Sequence, residues 1–135
     1  MTFSSTEFGF YLRLEPGDEL VRCLIQFARE QEVDEAVVSG VGAVTEVELG
    51  MGGDGAREHR RISLHEQLEA CSLTGTVTLV DGEPFPCLRG SFARADYSVL
   101  GGHVYQAVCG VGMNLAVHRV RLQRREPDRD DVAAN

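Results

Sequence analysis

Any chemistry in this chain must come from a short set of side chains, and most of them lack partners at a useful spacing. Ser39, Ser63, Ser72, Ser91 and Ser98 include no G-x-S-x-G turn of the kind that presents a hydrolase nucleophile. Ser39 comes nearest, in Val38-Ser39-Gly40, but no glycine precedes it at the required place. Glu66 and Glu69 are the nearest thing to an acid–base pair, yet their spacing at a loop-to-strand boundary does not force them together. The glycines of Val38-Ser39-Gly40-Val41-Gly42 supply G-x-G without the third glycine and following helix of a dinucleotide site. His59 and His65 fall in a polar, loop-like stretch, and His118 alternates with Arg119 in a late strand. No catalytic set is complete, so the expectation leans away from an enzyme.

The elements that must position these groups are read from periodicity. Phe8–Leu14 alternates as a short strand and stops at the turn Glu15-Pro16-Gly17. Asp18 follows at a place suited to capping a helix start. In the next stretch Leu20, Val21, Leu24, Ile25, Phe27 and Ala28 form one apolar stripe opposite Arg22, Gln26, Arg29 and Glu30, which predicts the one long helix. Glu35–Val44 reads as a buried strand, with a bend or close backbone approach at Ser39–Gly42. Val47, Leu49 and Met51 alternate with Glu46 and Glu48 in the strand after it.

Gly52, Gly53, Asp54 and Gly55 read as a flexible connection, and Glu58–Ile62 as a weak strand. Leu68–Val80 has strong strand propensity and closes at Asp81-Gly82. Glu83–Pro86 reads as irregular because two prolines do not fit a central strand. Three more strands follow, beginning at Cys87, His103 and Asn114. One strand, one helix and then many strands predict an α+β, sandwich-like domain, its mostly antiparallel sheet covered on one face by the helix. The domain is expected over residues 1–125, with 126–135 as a disordered tail.

Composition sets limits on partners. All 13 basic residues are arginine, and against 21 Asp and Glu they leave a net charge of −8. Duplex DNA binding draws most of its affinity from phosphate neutralisation, so an acidic domain is poorly placed for it. No stretch approaches the ~20 apolar residues of a membrane span, and the N-terminus lacks the basic start and apolar run of a signal peptide. Cys23, Cys71, Cys87 and Cys109 form no C-x-x-C pair and read as reduced thiols in a cytoplasmic protein.

Three stretches resemble the plants-and-prokaryotes conserved (PPC) domain: Leu14–Glu30 with Val37–Gly50, Leu68–Pro86, and the Gly101-Gly102-His103 step. The resemblance implies a compact, mainly antiparallel domain that assembles as a homotrimer and acts through binding, of protein partners or, by family association, of DNA. Plant members carry AT-hooks for the minor groove; this chain has no Arg-Gly-Arg-Pro arrangement of that kind. The uncharged run Val104–Val117 is the expected trimer surface.

Many prokaryotic members carry an H-x-H step after the Pro-Phe-Pro turn, which with the later histidine can make a three-His metal site. Here that step reads Cys87-Leu88-Arg89, so the resemblance carries Cys87, Arg89 and His103 into the site. Cys87 and His103 retain ligating atoms, for zinc above all, whereas Arg89 brings a positive charge. The second expectation is therefore a small-ligand or degenerate metal pocket at Cys87, Arg89 and His103, with Arg89 beside His103 favouring a carboxylate or phosphate.

Overall fold

The computed structural model describes residues 1–51 and 60–121. Its elements are β1 (Thr2–Ser5), β2 (Gly9–Leu14), α1 (Leu20–Glu30), β3 (Ala36–Met51), β4 (Arg60–Leu64), β5 (Leu68–Val80), β6 (Glu83–Ala93) and β7 (Val99–Arg119). All pairings between these strands are antiparallel, in the order β1-β2-β7-β6-β5-β3-β4. β7 also pairs with β3, so β3, β5, β6 and β7 form a closed cycle of hydrogen-bonded neighbours.

This architecture corrects the expectation of an α+β sandwich. The described residues are overwhelmingly strand, and the 11-residue α1 is too short to form a second layer. The sheet supplies its own opposing wall by folding back on itself through the β3–β7 pairing. That is possible because β3 and β7, with 16 and 21 residues, are long enough to bend and serve different neighbours along their length. Register shifts in β3 between Gly40 and Gly42, and again between Gly42 and Val44, provide the bending.

The glycines read as a bend do lie within a strand, and that strand runs on through Val44, where two strands were expected. At Gly40 a Cβ would run into the Leu115 side chain and the Asn114 carbonyl, so the close approach predicted there is real. β7 is likewise one strand where two were expected. Glu83–Pro86 is also strand: Pro84 lies opposite Leu79, and Pro86 opposite Val77. This segment of β6 pairs with β5 alone, and two prolines at period two can turn their donorless nitrogens towards the open side. Asp81 and Gly82 both have positive φ, at 52° and 79°, as the tight I′ hairpin turn requires.

The core fills the inside of the bent sheet. Phe10, Leu12 and Leu14 of β2 point inward at period two, as do Met113, Leu115 and Val117 of β7. Six of the fourteen residues of the uncharged Val104–Val117 run are buried within one chain. α1 contributes Leu20, Leu24, Phe27 and Ala28, and Phe27 meets Phe10 and Phe3 edge-to-face at centroid distances of 4.9 and 5.1 Å. Polar contacts hold the helix at its C-terminal end, and its start has no side-chain cap. Asp18 does not cap it: its carboxylate accepts the Glu15 N–H at 2.8 Å and pairs with the Met1 ammonium at 3.1 Å. At the other end the Arg119 guanidinium donates to the Gln31 and Glu32 carbonyls at 3.0 and 3.1 Å. The Gly52–Gly55 connection, His59 and the 126–135 tail lie outside the described residues.

Candidate functional site

The antiparallel ladder places directly opposed residues on the same face of the sheet. One such row crosses five strands: Thr74 of β5 faces Arg89 of β6, Arg89 faces His103 of β7, His103 faces Gly50 of β3, and Gly50 faces Arg61 of β4. Neighbouring strands lie about 4.8 Å apart, so Arg89 and His103 share one short stretch of surface. Both line an open groove of about 640 Å³, together with Ser72, Ser91 and Tyr105.

Hydroxyls gather around Arg89. Thr74 lies opposite it, and Ser91 follows at i+2 on the same strand face. The Ser91 and Ser72 hydroxyls are 2.7 Å apart and share a hydrogen bond. Arg89 is exposed and makes no ion pair with any carboxylate of the described residues.

On the other side of His103, Tyr105 takes the next same-face position, with its ring 4.7 Å from the imidazole and inclined by 60°. The ring occupies the space over Gly50, where a Cβ would collide with it. Arg61 stacks on Tyr105 with its guanidinium carbon 3.7 Å from the ring centroid, and pairs with Glu48 at 3.3 Å. Tyr105 is thus fixed between a backbone seat and a cation.

Of the three site residues taken from the sequence, Arg89 and His103 come together. Cys87 shares a face with Arg89 but lies one row further along, opposite Thr76, and is not among the groove's lining residues. These positions do not fit a bound metal ion. The residue directly opposite His103 is a guanidinium, which repels a cation and has no lone pair to give. Among the described residues no three His, Cys, Asp or Glu side chains are grouped to hold one.

The remaining sites of the sequence reading do not converge. His65 is exposed and lies 3.5 Å from Glu46, His118 faces the Phe8 ring at 6.5 Å, and Glu66 binds Arg94 at 2.7 Å rather than pairing with Glu69. The four cysteines are free thiols, and burial pushes the Cys23 and Cys109 thiols above their usual pKa. Sequence reasoning missed Tyr105, Gly50, Arg61, Ser72 and Ser91. A signal for Tyr105 was available, since a residue two beyond His103 in a strand shares its face.

Among the described residues, a closed antiparallel sheet carrying one short helix and an open polar groove on its surface defines a small β protein. Over residues 1–120 the chain matches the Plants and Prokaryotes Conserved (PCC) domain, and it belongs to that family. Among solved structures it is similar to a plant- and prokaryote-conserved protein of Pyrococcus horikoshii, with 25% identity and a TM-score of 0.79 over 95% of this chain and 90% of that one. It is also similar to a metal-containing protein of Archaeoglobus fulgidus, with 29% identity and a TM-score of 0.76 over 97% and 94%. A Bacteroides thetaiotaomicron protein named as a candidate DNA-binding protein superposes with a TM-score of 0.85 over 96% and 92%; at 21% identity it speaks for the fold alone. Among curated proteins none matches this chain. No helix among the described residues is long and apolar enough to cross a membrane.

Proposed function

We propose that this chain is a non-enzymatic, homotrimeric binding protein whose groove at Arg89 and His103 takes a small oxyanion, a carboxylate or a phosphate. The observation that carries the ligand is the direct opposition of Arg89 and His103 across β6 and β7, at the edge of a groove with three hydroxyl side chains. A guanidinium presents paired donors to a planar or tetrahedral anion, and hydroxyls complete the set.

The homotrimer follows the family likeness and has support in the outer face of the sheet. Tyr11, Val37 and Val41 are exposed there, on β2 and β3, with uncharged Ser39, Asn114 and Ala116 beside them in the ladder. A second copy would cover this surface, and a closed three-fold ring uses two different patches of each subunit. Protein partners fit an acidic chain better than DNA does, since a net charge of −8 opposes phosphate contact. Reduced cysteines accord with a cytoplasmic setting.

Calorimetric titration with inorganic phosphate and with acetate tests the groove. Millimolar or tighter binding that is lost in Arg89→Ala supports it, and equal binding by that variant refutes it. Light scattering tests the assembly: a mass three times that of the chain is expected, and a monomer at micromolar concentration removes the trimer.

A further inference from the structure

Resting on the oxyanion reading of the groove, we infer that its ligand carries the anionic head on a flat, unsaturated body, and that Tyr105 is the wall that selects it. The groove has two chemically different ends. Around Arg89 stand Thr74, Ser72 and Ser91; past His103 stand Tyr105 and the exposed Met51. The Ser72–Ser91 pair has two hydroxyl protons and uses one in its mutual hydrogen bond, which leaves one O–H to donate to an oxyanion beside Arg89.

Gly90 and Gly102 line the stretch between these ends with backbone, against which a flat group gains more contact than a branched or tetrahedral one.

Tyr105 is unusually well prepared to receive such a group. Arg61 stacks on its ring but does not reach the groove, whereas Tyr105 lines it. A cation on one face draws π density away and makes the part of the ring that lines the groove a better partner for an electron-rich aromatic or conjugated system. The ring's seat over Gly50 removes the freedom that it would otherwise lose on binding. Head and body are thus recognised by separate residues, Arg89 for one and Tyr105 for the other.

The experiment compares two matched pairs of probes by calorimetry on the full chain: acetate with benzoate, and inorganic phosphate with phenyl phosphate. The two pairs also establish whether the preferred head is carboxylate or phosphate. Each aromatic probe should bind about tenfold more tightly than its head-only counterpart, the gain expected from burying and stacking one ring. Tyr105→Leu should bring that ratio close to one while the head-only probes bind as before, and Tyr105→Phe should preserve it. Wild-type ratios near one, or a ratio unchanged in Tyr105→Leu, would overturn the inference while leaving the oxyanion site intact. Failure of all four probes to bind at millimolar concentration would instead sink the oxyanion site, and this inference with it.

Discussion

Replacing Phe27 by alanine tests whether the single helix is locked to the inside of the bent sheet or merely rests on it. Phe27 is 1% exposed, and its ring meets Phe10 and Phe3 edge-to-face. Removing a fully buried phenylalanine ring costs about 3–5 kcal/mol, part of it the lost transfer energy and part the cavity left behind. The edge-to-face contacts account for about 0.5–1.5 kcal/mol each within that sum. Domains of this size are stable by about 5–15 kcal/mol, so the variant loses about a fifth of the margin or more. In a thermal melt this corresponds to a fall in Tm of about 10–20 °C.

Urea unfolding followed by circular dichroism gives the free energy directly, with an unchanged slope expected if the endpoints are preserved. Protein concentration must be held fixed, because an oligomer's midpoint moves with it. Phe27→Leu, which retains most of the volume, should cost only about 1–2 kcal/mol. A loss below about 1 kcal/mol in Phe27→Ala would refute the reasoning, since it would mean that the site collapses without cost or was never closed.

Three further perturbations probe other parts of the molecule. Arg119→Ala should destabilise by about 1–3 kcal/mol, because it removes charge-assisted hydrogen bonds to the Gln31 and Glu32 carbonyls; Arg119→Lys, lacking the fork, should restore only part of this in urea melts. The Glu15 N–H first, and the Met1 ammonium with it, hold the Asp18 carboxyl below its ordinary value of 3.8, while Asp18 raises the Met1 ammonium above 8.0. The Asp18 contribution is therefore present above pH 3.8 and lost as pH falls through the lowered value. The Met1 contribution is present below pH 8.0 and lost as pH rises through the raised one. Asp18→Asn should flatten both limbs of the stability profile measured against pH. Finally, alkylation followed by mass spectrometry should label the exposed Cys71 and Cys87 in the native protein and the buried Cys109 only on unfolding; native labelling of Cys109 at an equal rate would contradict its burial.

Local periodicity carried the individual elements well and their assembly poorly. The stripe from Leu20 to Ala28 marked α1, and Leu68–Val80 coincides with β5 at both ends. Strand boundaries were the main source of error. The steps after Val44 in β3 and after Met113 in β7 read as ends of strands, yet long-range pairing carries both strands through them. Pro84 and Pro86 misled for a related reason, since sequence does not reveal which edge of a strand will be open. The closure of the sheet rests on contacts between β3 and β7, which no local pattern reports. The same division holds at the groove. Arg89 and His103 could be named from their types and the family pattern, whereas Gly50 and Ser72 reach it only through cross-strand register.

The β3–β7 pairing also has a consequence for how the chain acquires its structure on the ribosome. Ala36 pairs with Arg119 and Phe10 with Val117, so decisive contacts join segments about 80 to 100 residues apart, a topology that folds slowly. The β5–β6 hairpin can form as soon as it emerges, but the strand that completes the cycle is the last of the described strands to be made. Until β7 arrives, Val38, Val44 and Leu73 have no closed interior to occupy. The nascent chain must then carry apolar strand edges in the open for most of its synthesis, which makes this small domain a natural client for chaperones that shield unpaired strands.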